Sequence, residues 1–246
     1  MQPDGLLPDW YRHSPSSGNL YREAPDAWLW RYGFGKRDER TARMAMGVAA
    51  EYGVSIALTS DASDDDAAAA AIAEFDKLMA GEVSAERDAA GAICRQMLAV
   101  LRPLGKPLNL QAVHALATGE RYGFAYPVKA VTDLGYEDFY IDLKATMACP
   151  SAPKFGHVAQ VGTYEALTGK PQKLLYATPK RAALYDVSPE DSAHGWAVMK
   201  AAWRRIEALA QQFRRPEDAA SVIPFNPDSF YWADAAKAEA ATAWRI

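Results

Sequence analysis

The stretch Pro103-Leu104-Gly105-Lys106-Pro107 divides the chain into two halves of different character. Two prolines around a glycine neither continue a helix nor sit inside a sheet ladder, so the halves must form different kinds of structure. Before the break the sequence is alanine-rich and helical. One helix is expected from Arg37 to about Leu58, an acidic helix start over Asp61–Asp66, and helical residues on to Leu101 with interruptions near Gly81 and Gly91. Carboxylates suit the positive end of a helix, which places that start. After the break, Gln111–Ala117, Tyr122–Asp133 and Phe139–Thr146 read as strands, with Gly119-Glu120 and Gly135 as turns. A helix follows over Phe155–Leu167, stopped by Gly169 and Pro171, then two short strands, Lys173–Thr178 and Ala183–Val187. Ser188-Pro189-Glu190-Asp191 opens a long amphipathic helix to about Phe213, and the tail beyond reads as irregular. The pattern predicts an α/β (α+β) fold, a central mixed sheet of about five strands flanked by helices. A single domain over 1–246 is expected: a mainly helical part (1–105), a sheet core with its helix (106–190), and a C-terminal helix and tail (191–246).

Charge limits the partners. Lys plus Arg number 27 against 31 for Asp plus Glu, a net charge of −4, so no bulk positive field attracts nucleic acid or anionic membrane. A polyanion would have to be held by local patches. The acids concentrate at Asp61–Asp66 and Glu82–Asp88. The bases gather at Lys36, Arg37, Arg40 and Arg43, at Lys170, Lys173, Lys180 and Arg181, and at Arg204-Arg205 with Arg214-Arg215. The Lys170–Arg181 group follows the candidate site described next and is the favoured basic groove. Cys94 and Cys149 are too few for a disulfide framework or a four-cysteine iron–sulfur cluster. The start, Met1 to Asp4, lacks a signal-peptide pattern and no long apolar run occurs, so a soluble cytoplasmic protein is expected. Near the N-terminus, Ser14-Pro15-Ser16-Ser17-Gly18 is a helix-entry or turn signal. Trp28, Trp30, Tyr32 and Phe34 behind it cover a core edge or offer stacking surface for bases, and the core edge is the commoner use.

The chemistry concentrates on the strand Phe139–Thr146. Its period of two sends Ile141, Leu143 and Ala145 to one face and Tyr140, Asp142, Lys144 and Thr146 to the other. A hairpin through Gly135 would return Asp133 towards Asp142. Two converging carboxylates are costly unless a cation neutralises them, and Mg²⁺ takes such oxygen ligands while keeping several waters. Lys144 could then act on an attacking water or on developing phosphate charge. A structural Asp142–Lys144 salt bridge, needing neither Asp133 nor a metal, is the competing explanation. Upstream, Met44, Gly47 and Glu51 share a helix face, and Gly47 would let that face approach another element closely. Glu137 and Asp138 are expected as solvated turn residues, and His114 and His194 as structural or surface residues.

Asp133, the Asp142-x-Lys144 pair and the downstream His157-x-x-Gln160-x-x-x-Tyr164 helix together resemble the PD-(D/E)XK nuclease superfamily, in its RecB and phage lambda-exonuclease branch. Gly47-x-x-x-Glu51 fits the position where that branch carries its first metal ligand, and residues 14–25 are similar to its entry region. The resemblance covers most of residues 14–190. It implies a restriction-endonuclease-like core and a metal-dependent DNA nuclease, most readily an exonuclease working on duplex ends in phage-type recombination or DNA processing, in the cytoplasm of a bacterial host. It implies Glu51, Asp133, Asp142 and the Leu143 carbonyl as ligands of Mg²⁺ or Mn²⁺. Asp133, Asp142, Lys144 and Gln160 would be catalytic. Tyr164, His157, Ser14, Ser16, Lys180 and Arg181 would touch nucleic acid. A homo-oligomer, or a single-strand annealing partner, is a further implication. A non-catalytic nucleic-acid-binding protein keeping the fold is the alternative.

Overall fold

A five-stranded sheet in the order β1-β2-β3-β4-β5 organises the molecule. The strands are β1 (Asn109–Leu116), β2 (Val128–Gly135), β3 (Tyr140–Ala145), β4 (Gln172–Ala177) and β5 (Ala182–Asp186). The computed structural model describes residues 5–36, 40–81, 84–116 and 122–245. The expected turn at Gly119-Glu120, together with Met1 to Asp4, Arg37, Glu82 and Ala117, lies outside the described residues. Pairing is antiparallel except between β3 and β4. Parallel neighbours need a crossover, and α6 (Phe155–Thr168) supplies it, ending on Gly169 in the left-handed conformation at φ 71°. The sheet is therefore mixed, as the sequence predicts.

The helical half is built from α1 (Pro15–Glu23), α2 (Pro25–Trp28), α3 (Ala42–Thr59), α4 (Asp64–Leu78) and α5 (Ala85–Leu101). Ser14 and Ser63 close capping boxes on α1 and α4, and Thr41 caps α3, so that helix starts later than Arg37. Gly91 does not interrupt α5. It lies against Ile72 and the Ala68 carbonyl, where a side chain would crowd α4. Ile141, Leu143, Leu175 and Ala177 point to the α3–α5 side and join its core, whereas Leu174 and Tyr176 point to the α6 side with Val158, Val161 and Tyr164. Alternation along β3 and β4 thus assigns the two faces of the sheet to two separate cores.

A third core joins the N-terminal aromatics to α7 (Pro189–Gln212), with Trp28, Trp30 and Trp203 buried. The core-edge use of Trp28 and Trp30 therefore holds. Three expectations are corrected. The second strand begins at Val128 rather than Tyr122, because Gly123 turns at φ +64° and Pro127 lacks the donor a ladder needs. Gly135 belongs to β2, and the turn is made by Tyr136–Phe139, closed by the Tyr136 N–H on the Phe139 carbonyl at 2.8 Å. The tail is not irregular throughout: it forms α8 (Pro216–Ala220) and α9 (Asp234–Ala243), the latter over an alanine-rich run.

The closest helix approach that orients the site is α6 on α7. A Cβ at Gly162 would fall 2.4 Å from the Ser192 carbonyl oxygen, and one at Gly195 2.8 Å from Ala159 Cα, both backbone atoms. Gly47, by contrast, has room for a methyl group 3.9 Å from Ala145 Cβ; on α3 the tight position is Gly53, against the Ala67 carbonyl. Gly162→Ala is expected to destabilise the fold by about 1–3 kcal/mol. The melting temperature should then fall by roughly 2–4 °C per kcal/mol, with Gly47→Ala close to wild type in thermal circular dichroism. Equal melting of the two variants would contradict this packing.

Candidate active site

Asp133 and Asp142 meet where the sheet splits. β2 and β3 pair only at Leu134↔Ile141 and Gly135↔Tyr140. One residue further the Asp133 side chain takes the place of a ladder carbonyl, accepting from Leu143 N–H at 2.8 Å through Oδ2. Its other oxygen accepts from Gln111 at 3.3 Å. The hairpin thus brings the two aspartates together, as the spacing predicts, but it does so by opening the sheet into a cleft.

Asp142 is 1% exposed, on the α6 face of β3. Lys144 Nζ stands 2.6 Å from Asp142 Oδ2, a close ion pair. Gln160 ties the pair to α6. Its Oε1 accepts from Lys144 Nζ at 3.1 Å, and its Nε2 donates to Asp142 Oδ1 at 3.2 Å and to the Tyr164 hydroxyl at 2.6 Å. The spacing of four puts Gln160 and Tyr164 on one face of α6, which explains the joint approach. Tyr164 is 4% exposed and its hydroxyl accepts from Gln160, so little of the side chain is open to the nucleic-acid contact expected of it. Glu51 comes from α3, which passes the end of β3 at Ala145, and its carboxyl feels the charges of Asp133, Lys144 and Asp142.

Three carboxylates face one ammonium, and the electrostatics show the imbalance. Burial, then Asp133, push the Glu51 pKa up to about 8, with Lys144 opposing. Burial, then Asp142, push Asp133 up to about 7, against Lys144 and the Leu143 N–H. Burial also raises Asp142 despite its lysine. Burial works against the Lys144 ammonium, but Asp142, Asp133 and Glu51 outweigh it and the lysine stays protonated. Glu51 and Asp133 are only partly buried, so the cluster is open to solvent on one side.

His157 does not carry the charge a phosphate contact would favour. Burial, then Lys144 and Lys154, lower its pKa to about 3. Its Nδ1 lies 2.7 Å from the Tyr176 hydroxyl, which also accepts from Lys154 N–H at 3.0 Å. The Lys170–Arg181 group does not form one groove. Lys170 and Lys173 sit at the start of β4, with Lys173 paired to Asp186, while Lys180 and Arg181 lie beyond its far end. Arg181 there donates to the Cys149 carbonyl at 3.3 Å, holding the segment between β3 and α6. Elsewhere, Lys36 pairs with Glu239, Arg43 with Glu86 and Arg215 with Asp218. His114 meets the Thr132 hydroxyl at 3.1 Å, His194 lies against Phe155, and Glu137 and Asp138 are exposed as expected.

Ser14 and Ser16 reach the site. With Trp10, Arg12 and Lys129 they line a groove of about 380 Å³ that ends on Gln160 and Tyr164. The sequence analysis missed Arg12, Lys129, Gln111 and Tyr176. The period of two from Lys129 through Val131 to Asp133 was the available signal for Lys129. Arg12 carried none. Among the described residues no group of three or more His, Cys, Asp or Glu is gathered as a metal cage, and no helix is long and apolar enough to cross a membrane.

No protein-family model matches the chain, and no curated protein matches it. A solved structure described as the crystal structure of SSO0001 aligns with a TM-score of 0.35 and 15% sequence identity, covering 63% of this chain and 83% of that one.

Proposed function

We propose that the chain is a divalent-metal-dependent deoxyribonuclease of the PD-(D/E)XK type, acting on duplex ends as an exonuclease in phage-type recombination or DNA processing. The observation that carries this is the convergence of Glu51, Asp133, Asp142, Lys144 and Gln160 from four different elements onto one partly open cleft. A structural salt bridge needs two of those residues. It does not call for further carboxylates held at raised pKa beside it.

The donor chemistry fits a hard cation. The donors are oxygens, Asp142 Oδ2 is buried against the Lys144 ammonium, and burial raises the pKa of all three carboxyls gathered around that one lysine. A pre-gathered cage of three carboxylates is not required, because Mg²⁺ is commonly held by one or two and completed by water and substrate phosphate. Asp142 and Asp133 would hold the ion, with Glu51 and the Leu143 carbonyl as further donors; Mn²⁺ has the same preferences. When bound, the ion would supply Lewis-acid stabilisation of the phosphoryl oxygens and lower the pKa of a water.

The chain's own groups divide the remaining work. Lys144, protonated and tied to Gln160, places positive charge where the phosphorane gains negative charge. In that state it is a charge stabiliser and not a base. Gln160 has its amide fixed by Asp142, Lys144 and Tyr164, and so orients a water or a phosphate oxygen at the cleft. Asp133 holds the Leu143 backbone and keeps the β2–β3 cleft open. Arg12, Lys129, Ser14 and Ser16 supply donors for the DNA backbone in the adjoining groove, which makes a local positive path on an acidic protein.

Incubation of the protein with end-labelled duplex should give Mg²⁺-dependent degradation that EDTA abolishes and that Lys144→Ala loses. Salt-sensitive DNA binding without turnover would favour the non-catalytic alternative instead.

A further inference from the structure

We propose that Gln111 is a positioning residue for the cleavage centre, held in a left-handed backbone conformation so that its amide fixes the Asp133 carboxylate as a cation ligand. This rests on the nuclease reading, because it takes Asp133 as one of the groups that hold the metal. Among the described residues, three non-glycine positions have positive φ: Ala80, Gln111 and Arg245. Ala80 follows the end of α4 and Arg245 the end of α9, the place after a helix where this conformation is common. Gln111, at φ +51°, lies instead inside β1, where extended backbone is the rule.

The break in β1 falls opposite the candidate ligand. β1 and β2 pair at Leu110↔Leu134 and at Ala112↔Thr132, and the ladder skips the pair between them, Gln111 and Asp133. Side chains bridge the gap. Gln111 Nε2 donates to Asp133 Oδ1 at 3.3 Å, and the Thr132 hydroxyl donates to the Ala112 carbonyl at 3.4 Å. Gln111 is itself exposed, so no apolar packing compels its backbone. Among the described residues its amide makes no other hydrogen bond.

A left-handed residue with a Cβ is strained, and such strain persists where its surroundings hold it, above all at functional sites. Here the group held is a carboxylate with a donor on each oxygen. Oδ2 accepts from the Leu143 N–H at 2.8 Å on the β3 side, and Oδ1 accepts from Gln111 on the β1 side. Leu143 alone would leave the carboxylate free to turn about a single contact. The second donor, from the opposite strand, fixes its plane. A neutral amide also leaves the carboxylate its charge for the cation, which a lysine or arginine at this position would cancel. Hydrogen bonds behind a metal ligand orient it, and losing one weakens metal binding by about 10–100-fold.

The test compares Gln111→Gly and Gln111→Ala with wild type by titrating Mn²⁺ alone into metal-free protein, well below each melting temperature. Both variants lack the amide and should bind Mn²⁺ about tenfold more weakly. They differ in what the backbone tolerates. Glycine is unstrained at positive φ, so metal-free Gln111→Gly should melt above Gln111→Ala, the reverse of their order in a regular strand. Gln111→Ala melting above Gln111→Gly would overturn the strained conformation on which the proposal depends. Wild-type Mn²⁺ affinity in both variants would overturn the positioning role; if wild type still degrades duplex DNA with Mg²⁺, this inference alone fails and the nuclease reading stands. If wild type neither binds Mn²⁺ nor degrades DNA, both fail.

Discussion

Lys144→Ala should reduce Mg²⁺-dependent cleavage of duplex DNA by about 10²–10³-fold, the cost of removing a fixed donor from a developing anion. The expectation follows from the position of Nζ, 2.6 Å from Asp142 and 3.1 Å from Gln160, in a cleft where three carboxylates keep it charged. A stability loss accompanies it, because Asp142 is 1% exposed and would lose its counter-charge. Breaking a fully buried pair costs about 3–5 kcal/mol. The cost here should be smaller, since the Lys144 side chain is 18% exposed and Asp142 has a raised pKa that favours its neutral form. Cleavage must therefore be measured well below the variant's melting temperature. Folded Lys144→Ala that degrades DNA at the wild-type rate would remove the lysine from the mechanism. A structural salt bridge predicts only the stability loss.

The second large effect is a pH-dependent response of stability to Mg²⁺. Glu51 and Asp133 have folded-state pKa values of about 8 and about 7, above the ordinary carboxylate values of 4.5 and 3.8. Groups raised in this way bind protons more tightly when folded. Their contribution is fully present below the ordinary values and is lost as pH rises through about 7 and then about 8. Metal-free protein should therefore lose stability across that interval. A divalent ion replaces the protons, so its effect should grow as they leave. Binding at a hundred times the dissociation constant contributes about 2.7 kcal/mol, roughly 5–10 °C in melting temperature for a chain of this size. That shift is expected near pH 8, falling to less than half near about pH 6, below both values. Asp133→Asn should flatten the metal-free pH dependence. Equal Mg²⁺ shifts at the two pH values would show that the ion does not compete with these protons.

The mixed sheet and its crossover helix were legible because their signals are local. Ile141 and Leu143 alternate with Asp142 and Lys144, and Gly169 stops α6 where the left-handed cap requires it. Asp142 and Lys144 were legible for the same reason, a period of two on one strand, whereas Gln160 and Tyr164 came from the resemblance, and their spacing of four placed them only on one helix face. The resemblance also brought in Ser14 and Ser16, which line a groove shared with Gln160 and Tyr164. What failed depended on distance in space. Lys170 and Lys180 are near in sequence but stand at opposite ends of β4, because a strand carries its ends apart. Gly47 looked like the close contact of α3, yet Gly53 meets the Ala67 carbonyl, a fact set by how α4 crosses and written in neither helix alone. His157 was expected to touch nucleic acid, and only the fold shows Lys144 and Lys154 around it and the Tyr176 hydroxyl on its ring. Arg12 reached the groove through the path of the chain into α1, where the sequence offers only a turn.

The carboxylate cluster as a cation site is the centre of the account, and anomalous diffraction from crystals soaked in Mn²⁺ measures it most directly. The account predicts one strong peak in the β2–β3 cleft within coordination distance of Asp142 and Asp133, about 2.0–2.6 Å, with the Lys144–Asp142 contact of 2.6 Å lengthened as the ion takes the carboxylate. An empty cleft at saturating Mn²⁺, with Lys144 still on Asp142, would contradict it.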